Sequence, residues 1–233
     1  MASTTGLNIP TRNLRVCIDG FNNKSINSNS STWYDLSGNG LNFSGGTSSA
    51  SGNTSQGRYM ASADNDAQTA TTDALDTDYH TIAVVLRFTG DATYPNGTTG
   101  GWQQFIGYFG GGTDRSPGIW RYPSNRRIHW TYNPGNTSTD FGASGLSTDF
   151  NLNEDYLVIM RKDGSNTHFW INETKYNGIT YCANPKTSGT SVINLFNYYS
   201  GGLMQMKYFL VYDTALPDAD CYQIAASLTP RLK

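Results

Sequence analysis

Residues 81–88, TIAVVLRF, alternate between two side-chain faces in the way that a β-strand requires. Every second residue from Ile82 to Phe88 is large and apolar, as expected of a strand that turns one face to a core. Similar runs return at roughly ten-residue spacing, separated by Pro, Gly and Asn. They occupy residues 14–18, 58–61, 103–109, 118–122, 127–132, 156–161, 167–172 and 206–212. The pattern predicts an all-β chain that folds as an antiparallel two-sheet β-sandwich.

Two local patterns predict the connections in the last third of the chain. Asp163-Gly164 lies between two of these runs, and an Asp-Gly pair supplies the positive φ angles of a tight hairpin. Pro217 is followed by acidic residues and then by apolar residues at helical spacing. This predicts one short helix near residues 217–227, packed on an edge of the sandwich.

The composition agrees with short strands joined by turns. Of 233 residues, 15% are charged, 13% are aromatic and 25 are glycine. The length suits one large domain, which we assign to residues 14–233. Residues 1–13 are predicted to form a polar N-terminal arm that is mobile over residues 1–12. Residues 44–57 carry almost no apolar side chains and are predicted to form a long exposed loop.

Charge, hydropathy and cysteine spacing exclude several partners and cofactors. The formal net charge is −2, so we expect no concentrated basic surface for nucleic acid or an anionic membrane. No window approaches the ~18 apolar residues of a membrane span, and the amino terminus, MASTTGLNIPTRN, lacks the apolar region of a signal peptide. Cys17, Cys182 and Cys221 follow neither a disulfide nor a zinc spacing. We therefore predict buried free thiols, with no metal and no other cofactor.

A cluster of bulky side chains directly precedes a tight turn in residues 31–40, STWYDLSGNG. We expect Trp33, Tyr34 and Leu36 to plug the edge of the core while the Ser-Gly-Asn-Gly run reverses the chain. The segment from Trp33 to Gly40 resembles the W-x-D-x-S-G-N-G segment of laminin-G-like, concanavalin A-like lectin domains. Such domains are common in phage structural proteins and bacterial surface proteins.

Two later segments are similar to the same family and follow in the same order. Residues 153–172 resemble its hairpin with a central Asp-Gly, and residues 202–220 resemble its closing strand and edge helix. The resemblance spans residues 14–228 and implies a jelly-roll sandwich of the kind found in phage virion structural proteins. Because this sandwich serves lectins, glycosidases, adhesion modules and structural proteins, the fold does not specify an activity.

The resemblance raises two kinds of site chemistry. Glycosidases on this scaffold resemble a family with an E-x-D-x-E strand, whose carboxylates flank the scissile bond. Glu154 and Glu173 have no such partners, so we predict no catalytic residues and no enzymatic activity. Laminin-G-like domains often hold one calcium ion at a rim, where this chain places Asp73, Asp76, Asp78, Asp91, Asp114 and Asp140. No D-x-D-x-D-G loop accompanies them, so solvated turn aspartates are the simpler interpretation and calcium is the alternative.

Aromatic side chains and arginines are concentrated in residues 102–132. They could stack on sugar rings, or they could anchor a protein interface. Core packing is the third explanation, because Ile128, Trp130 and Tyr132 share a strand face and a sandwich buries one face of each strand. The candidate glycan or protein-interface residues are Trp102, Trp120, Tyr122, Arg115 and Arg121.

These observations favour a non-enzymatic virion surface protein of a bacteriophage, as a capsid decoration or fibre-associated protein. A chain without a signal peptide would reach the particle surface through virus assembly, and no heptads or fibre repeats indicate a shaft. The expected partners are capsid or other virion proteins and further copies of the same chain. The alternative is a carbohydrate-binding, lectin-like module that attaches to a host-surface glycan through Trp102, Trp120 and Tyr122.

Overall fold

A computed structural model describes residues 7–27, 30–44, 49–51, 58–61, 67–69, 72–91, 102–109, 115–122, 126–133, 141–142, 149–164, 166–180, 191–197 and 203–232. Within these ranges the chain forms sixteen β-strands and one α-helix, which confirms the predicted all-β class. The strands are β1 (Leu14–Asp19), β2 (Thr32–Trp33), β3 (Phe43–Ser44), β4 (Ser49–Ser51), β5 (Tyr59–Ala61), β6 (Ala67–Thr69), β7 (Tyr79–Phe88), β8 (Gln103–Phe109), β9 (Arg115–Arg121), β10 (Ile128–Asn133), β11 (Phe141–Gly142), β12 (Asp155–Asp163), β13 (Asn166–Ile171), β14 (Thr174–Thr180), β15 (Val192–Asn197) and β16 (Met204–Tyr212). The helix, α1, spans Asp218–Leu228 and leads into a 3-10 turn at Thr229–Arg231. None of the described helical segments is long and apolar enough to cross a membrane.

The strands form two antiparallel sheets of eight strands each. In the first sheet, hydrogen-bonded neighbours follow the order β14, β13, β12, β7, β16, β5 and β4, and β1 also pairs with β16. The second sheet has the order β11, β10, β9, β8, β15, β6, β3 and β2. The central strands β7 and β16 are adjacent in space although more than a hundred residues separate them in sequence.

Side chains of the two sheets meet in one hydrophobic core. The apolar face of β7 that runs from Ile82 to Phe88 is buried there, as the alternation predicted. Trp130 of the second sheet lies against Phe169 of the first, with ring centroids 4.4 Å apart. Each such side chain contributes roughly 1.5–3 kcal/mol when fully buried. These contacts across the interior confirm the predicted two-sheet sandwich.

The opposite face of the first sheet is also buried, because helix α1 covers it. Ala83 and Val85 of β7 turn to this side and belong to a second apolar cluster. The helix contributes Cys221, Ile224, Ala225 and Leu228 to that cluster. The short helix predicted near residues 217–227 is thereby confirmed. Cys17 and Cys221 are buried free thiols, as predicted, while Cys182 lies outside the described residues.

The described part of the N-terminal segment is docked on the helix rather than mobile. Leu7 and Ile9 are 7% and 6% exposed and belong to the second apolar cluster. The Tyr212 hydroxyl donates to the Pro10 carbonyl over 3.0 Å, and Arg12 pairs with Asp220 over 2.7 Å. The expectation of mobility is therefore wrong for residues 7–12, because the apolar side chains of Leu7 and Ile9 are buried in the second apolar cluster. Residues 1–6 lie outside the described residues, and the boundary at residue 13 stays a prediction.

The carboxylate of Asp35 is one of the groups that hold the turn after Trp33. Asp35 accepts hydrogen bonds from the amides of Cys17, Ser37 and Leu41 at 2.8, 2.8 and 3.2 Å, and from the Ser37 hydroxyl at 2.6 Å. This carboxylate therefore ties the turn to β1. Trp33 is fully buried in the core as expected, but Tyr34 is 44% exposed. The expectation that Tyr34 plugs the core is wrong, because β2 ends at Trp33 and the next side chain turns to solvent.

The alternating segments of the sequence predicted most of the strands, but several other strands were not predicted. Residues 44–57 were expected to form a loop, yet β4 lies within this range and pairs with β5. Strands β14 and β15 were also missed, because TKYNGIT and VINLFN mix turn-forming with apolar residues. β15 nevertheless lies at the centre of the second sheet, between β8 and β6.

His80 is a fully buried titratable residue at one end of β7. Its Nδ1 donates to the Thr77 carbonyl over 2.9 Å, so its Nε2 accepts from the Tyr132 hydroxyl over 2.7 Å. Burial, with a smaller effect of nearby Lys162, lowers the pKa of His80 to about 4. The folded chain therefore keeps this imidazole neutral at pH values where an unfolded chain would protonate it.

We expect Ile9→Ala to lower the free energy of unfolding by about 2 kcal/mol, because it removes buried apolar surface between the N-terminal segment and α1. Thr11→Ala is the matched control, since Thr11 is exposed and its loss should change stability by less than about 0.5 kcal/mol. Urea unfolding of both variants gives the comparison. Equal stability of the two variants would show that the segment is not docked in solution.

Between pH 6.5 and pH 4 we expect the free energy of unfolding to fall by up to about 3 kcal/mol through His80. In this window the unfolded chain binds a proton at His80 while the folded chain, with a pKa of about 4, does not. The stabilisation is complete above pH 6.5 and is lost as the pH decreases. His80→Gln removes the titrating group, so its unfolding free energy should depend less steeply on pH. Parallel pH profiles for the two proteins would contradict this assignment.

Candidate functional site

The aromatic-rich residues 102–132 separate into two groups according to strand face. On β10, Ile128 and Trp130 turn to the core, so His129 between them turns to the outer face of the second sheet. On β9, Ile119 belongs to the core and Trp120 turns outward in the same way. The cross-strand register places Trp120 directly beside His129.

The core group includes one of the predicted interface residues. Arg121 is 3% exposed, and its guanidinium carbon lies 4.8 Å from the centroid of the Phe88 ring in the core. Its Nη1 donates to Gln103 Oε1 over 2.5 Å and lies 2.8 Å from Asp91. Burial lowers the pKa of this guanidinium, although the pairing with Asp91 opposes the shift. Arg121 therefore packs within the sandwich and does not face a ligand on the outer side.

The outer group brings four rings together. We call Trp102, Trp120, Tyr122 and His129 the outer aromatic cluster. The Trp102 centroid lies 4.7 Å from both Tyr122 and His129 and 6.4 Å from Trp120. These three ring pairs meet at 68–81°, an edge-to-face arrangement that is favourable for aromatic side chains. The structure thus unites three of the five predicted site residues and adds His129.

Accessibility differs within the outer aromatic cluster. Trp120 and His129 are only 3% and 2% exposed, whereas Trp102 and Tyr122 are intermediate. A ligand that approaches this face would therefore meet the rings of Trp102 and Tyr122 first. The fifth predicted residue, Arg115, begins β9 opposite Asn133, and its side chain lies outside the described part of the chain.

Gly118 determines how the Trp120 ring lies on the sheet. A Cβ atom at Gly118 would stand 2.1 Å from Cη2 of Trp120, well inside any allowed contact. The six-membered ring of the indole therefore lies over the glycine on the outer face of the sheet. Gly118 is directly opposite Gly107 of the neighbouring strand β8, so no side chain stands beside Gly118 on that strand.

Two buried side-chain amides share the outer face with the aromatic cluster. Gln104 of β8 is opposite Trp120, and Asn194 of β15 is opposite Gly107. They are 0% and 6% exposed. No sequence pattern indicated Gln104, His129 or Asn194 as site residues, because their proximity depends on the register between paired strands.

The rim aspartates considered for calcium are engaged with donors of the chain itself. Asp91 pairs with Arg121 and Arg126, and this pairing outweighs partial burial and lowers the pKa of Asp91. The remaining described pairs are Asp73 with Arg15, Asp76 with the Tyr108 hydroxyl and Asp78 with Lys162. Asp114 and Asp140 lie outside the described residues. In the part of the chain that the structure describes, no three His, Cys, Asp or Glu side chains form a group suited to a metal.

The sequence matches no protein-family model and no curated protein sequence. Solved structures do share its fold. A sialidase from Trypanosoma rangeli is similar over 96% of this chain, with a TM-score of 0.66 and 13% identity. The chain spans only 34% of the length of that sialidase.

Two further structures of similar fold were solved with carbohydrates. The binding domain of botulinum neurotoxin DC, in complex with SialylT, has a TM-score of 0.65 and 14% identity, over 94% of this chain and 52% of that chain. Domain 4 of AbnA, a GH43 extracellular arabinanase from Geobacillus stearothermophilus, in complex with arabinotriose, has a TM-score of 0.61 and 14% identity, over 91% and 98%. At these identities the likeness establishes a shared β-sandwich fold.

These comparisons correct the prediction that the chain is not an enzyme. Sialidases are among the solved structures that share the fold, so this fold does occur within glycosidases. The missing E-x-D-x-E strand was too narrow a criterion, because some glycosidases use a tyrosine nucleophile instead of a second carboxylate. The comparisons also provide no link to bacteriophage proteins, and the virion location stays a prediction.

Gly118→Ala tests the position of the Trp120 indole on the outer face. The added methyl group would displace the ring, and we expect the free energy of unfolding to fall by about 1–3 kcal/mol with a changed near-ultraviolet circular dichroism spectrum. Gly90→Ala is the matched control, because its new methyl group would meet only the flexible end of Leu203. An unchanged spectrum in Gly118→Ala would contradict the described position of the indole.

Proposed function

We propose that this chain is a carbohydrate-binding β-sandwich module, and that the outer aromatic cluster contacts the glycan. The observation that carries the proposal is the convergence of Trp102, Trp120, Tyr122 and His129 on the outer face of the second sheet. Two of these rings remain accessible, and two buried amides share their face.

The chemistry of this face suits a sugar. A pyranose has an apolar face of C–H groups that packs on an aromatic ring, and hydroxyl groups around its edge that need hydrogen-bond partners. Trp102 and Tyr122 offer the rings, while a side-chain amide such as that of Asn194 can both donate and accept hydrogen bonds. Ring contacts supply affinity and amides supply orientation, which is the usual division of tasks in a ligand site.

The structural comparisons support the same proposal without carrying it alone. Two neighbours of similar fold were solved with SialylT and with arabinotriose, and these complexes support a carbohydrate ligand for this chain. Of the three explanations for the aromatic segment, core packing accounts for Tyr108, Trp130 and Tyr132. The glycan interpretation applies to the outward-facing rings.

Attachment to a host-surface glycan is the role that this module would serve, and display on a bacteriophage particle remains a separate prediction. An association with capsid proteins or a homo-oligomer would use surfaces that the outer aromatic cluster does not identify. The carbohydrate proposal does not depend on either.

We expect Trp102→Ala and Tyr122→Ala each to weaken oligosaccharide binding about three- to tenfold, because each removes an accessible ring worth about 0.5–1.5 kcal/mol of contact. Tyr222→Ala is the matched control, since Tyr222 is 45% exposed but lies on helix α1, across the molecule from the second sheet. The measurement is isothermal titration calorimetry with members of an oligosaccharide panel that includes arabinotriose and SialylT.

Loss of binding in Tyr222→Ala, with normal binding in Trp102→Ala and Tyr122→Ala, would place the glycan surface elsewhere. Failure of the unchanged chain to bind any oligosaccharide of the panel would contradict the proposed function itself.

A further inference from the structure

Asn194 has an unusual environment for a side chain on the outer face of a sheet. Its residue is 6% exposed, and its neighbours Ile193 and Leu195 both belong to the core, so the carboxamide turns to the outer face. No donor among the residues that the structure describes lies within hydrogen-bonding distance of Asn194 Oδ1. Buried acceptors in native proteins are nearly always paired, so an acceptor in this state indicates a missing partner.

The register places this acceptor in line with the outer aromatic cluster. Asn194 is opposite Gly107, and Gly107 is opposite Gly118, across which the Trp120 indole lies. Adjacent strands are about 4.8 Å apart, so the backbone of Asn194 lies roughly 10 Å from that of Gly118. Between them, Gly107 contributes no side chain. The indole and the carboxamide therefore lie at the two ends of one row of opposite residues across the sheet. The distance between these two ends is on the order of the width of one sugar ring in contact with both groups.

We propose that Asn194 is a specificity-determining residue that accepts a hydrogen bond from a glycan hydroxyl through Oδ1. The inference rests on the proposed carbohydrate-binding function and names the contact that selects the ligand. A glycan that presents a hydroxyl donor here satisfies the buried acceptor, whereas one that lacks it leaves the acceptor unpaired. Selection of this kind is strong, because an unpaired buried polar group is costly.

Two substitutions separate ligand recognition from a structural role. Asn194→Leu keeps a similar volume but removes the acceptor, and Asn194→Asp keeps an oxygen at the same place. If Oδ1 has no partner in the free chain, Asn194→Leu should leave the unfolding midpoint in urea unchanged or raise it, because no hydrogen bond to Oδ1 is lost. Binding should nevertheless weaken about three- to tenfold in Asn194→Leu and stay within about threefold of the original in Asn194→Asp.

The experiment is calorimetric titration of the unchanged chain and both variants with the same oligosaccharides, arabinotriose and SialylT among them, alongside urea unfolding. Weaker binding and undiminished stability in Asn194→Leu, with binding retained in Asn194→Asp, is the expected result. Undiminished binding in Asn194→Leu would overturn the assignment of Asn194 while the proposed function stands. A marked loss of stability in Asn194→Leu would also overturn it, since the amide would then serve the fold. If the unchanged chain binds none of the oligosaccharides, the proposed function fails and this inference fails with it.

Discussion

Burial of both faces of the first sheet is the constraint on which most of the molecule depends. One face of β7, β12 and β16 forms the interior of the sandwich, and the other lies under helix α1 and residues 7–14. A shift of one residue in the register of these strands would exchange the two sets of side chains, so the register is strongly determined. Polar groups within such a sheet must be paired. Asp155, whose side chain is fully buried, accordingly lies 2.7 Å from Arg87 Nε and 2.6 Å from Lys207 Nζ.

The second sheet is built differently, and the difference explains where a function can reside. One face of β8, β9 and β10 completes the core, while the other carries the outer aromatic cluster and is not covered by the helix. Side chains on that outer face do not have to hold the sandwich together, so rings and amides can be arranged for a ligand. Strands β9 and β10 therefore carry aromatic side chains of both kinds, those that pack in the core and those that face outward. Trp130 packs in the core, and Trp120, which is opposite His129 in the register, faces outward.

Two corrected expectations have physical causes that local sequence cannot show. The N-terminal segment looked polar because Leu7 and Ile9 are the only large apolar residues between residues 2 and 13. Few contacts are nevertheless enough to dock a segment against an apolar surface that the rest of the fold already forms. The absence of enzymatic activity was inferred from the absence of one catalytic pattern, the E-x-D-x-E strand. Catalytic activity depends on the residues of a particular site, and one fold can carry several kinds of site. Solved sialidases that share this fold show why a missing motif is weak evidence.

The spacing of apolar side chains along the chain was enough to determine the all-β class, the long strands and the edge helix, because a strand or helix with one apolar face has few ways to bury it. The concentration of aromatic side chains and arginines named Trp102, Trp120 and Tyr122 as candidates but could not tell them from Trp130, since the face of a strand that meets the core depends on its neighbours. Pairing of β8 with β9 and β15, strands up to about ninety residues apart, was decided only in the tertiary structure. That pairing turned Arg121 inward and brought Gln104 and Asn194 to the rings, and the pairing of β9 with β10 added His129, because cross-strand register sets which side chains share a face.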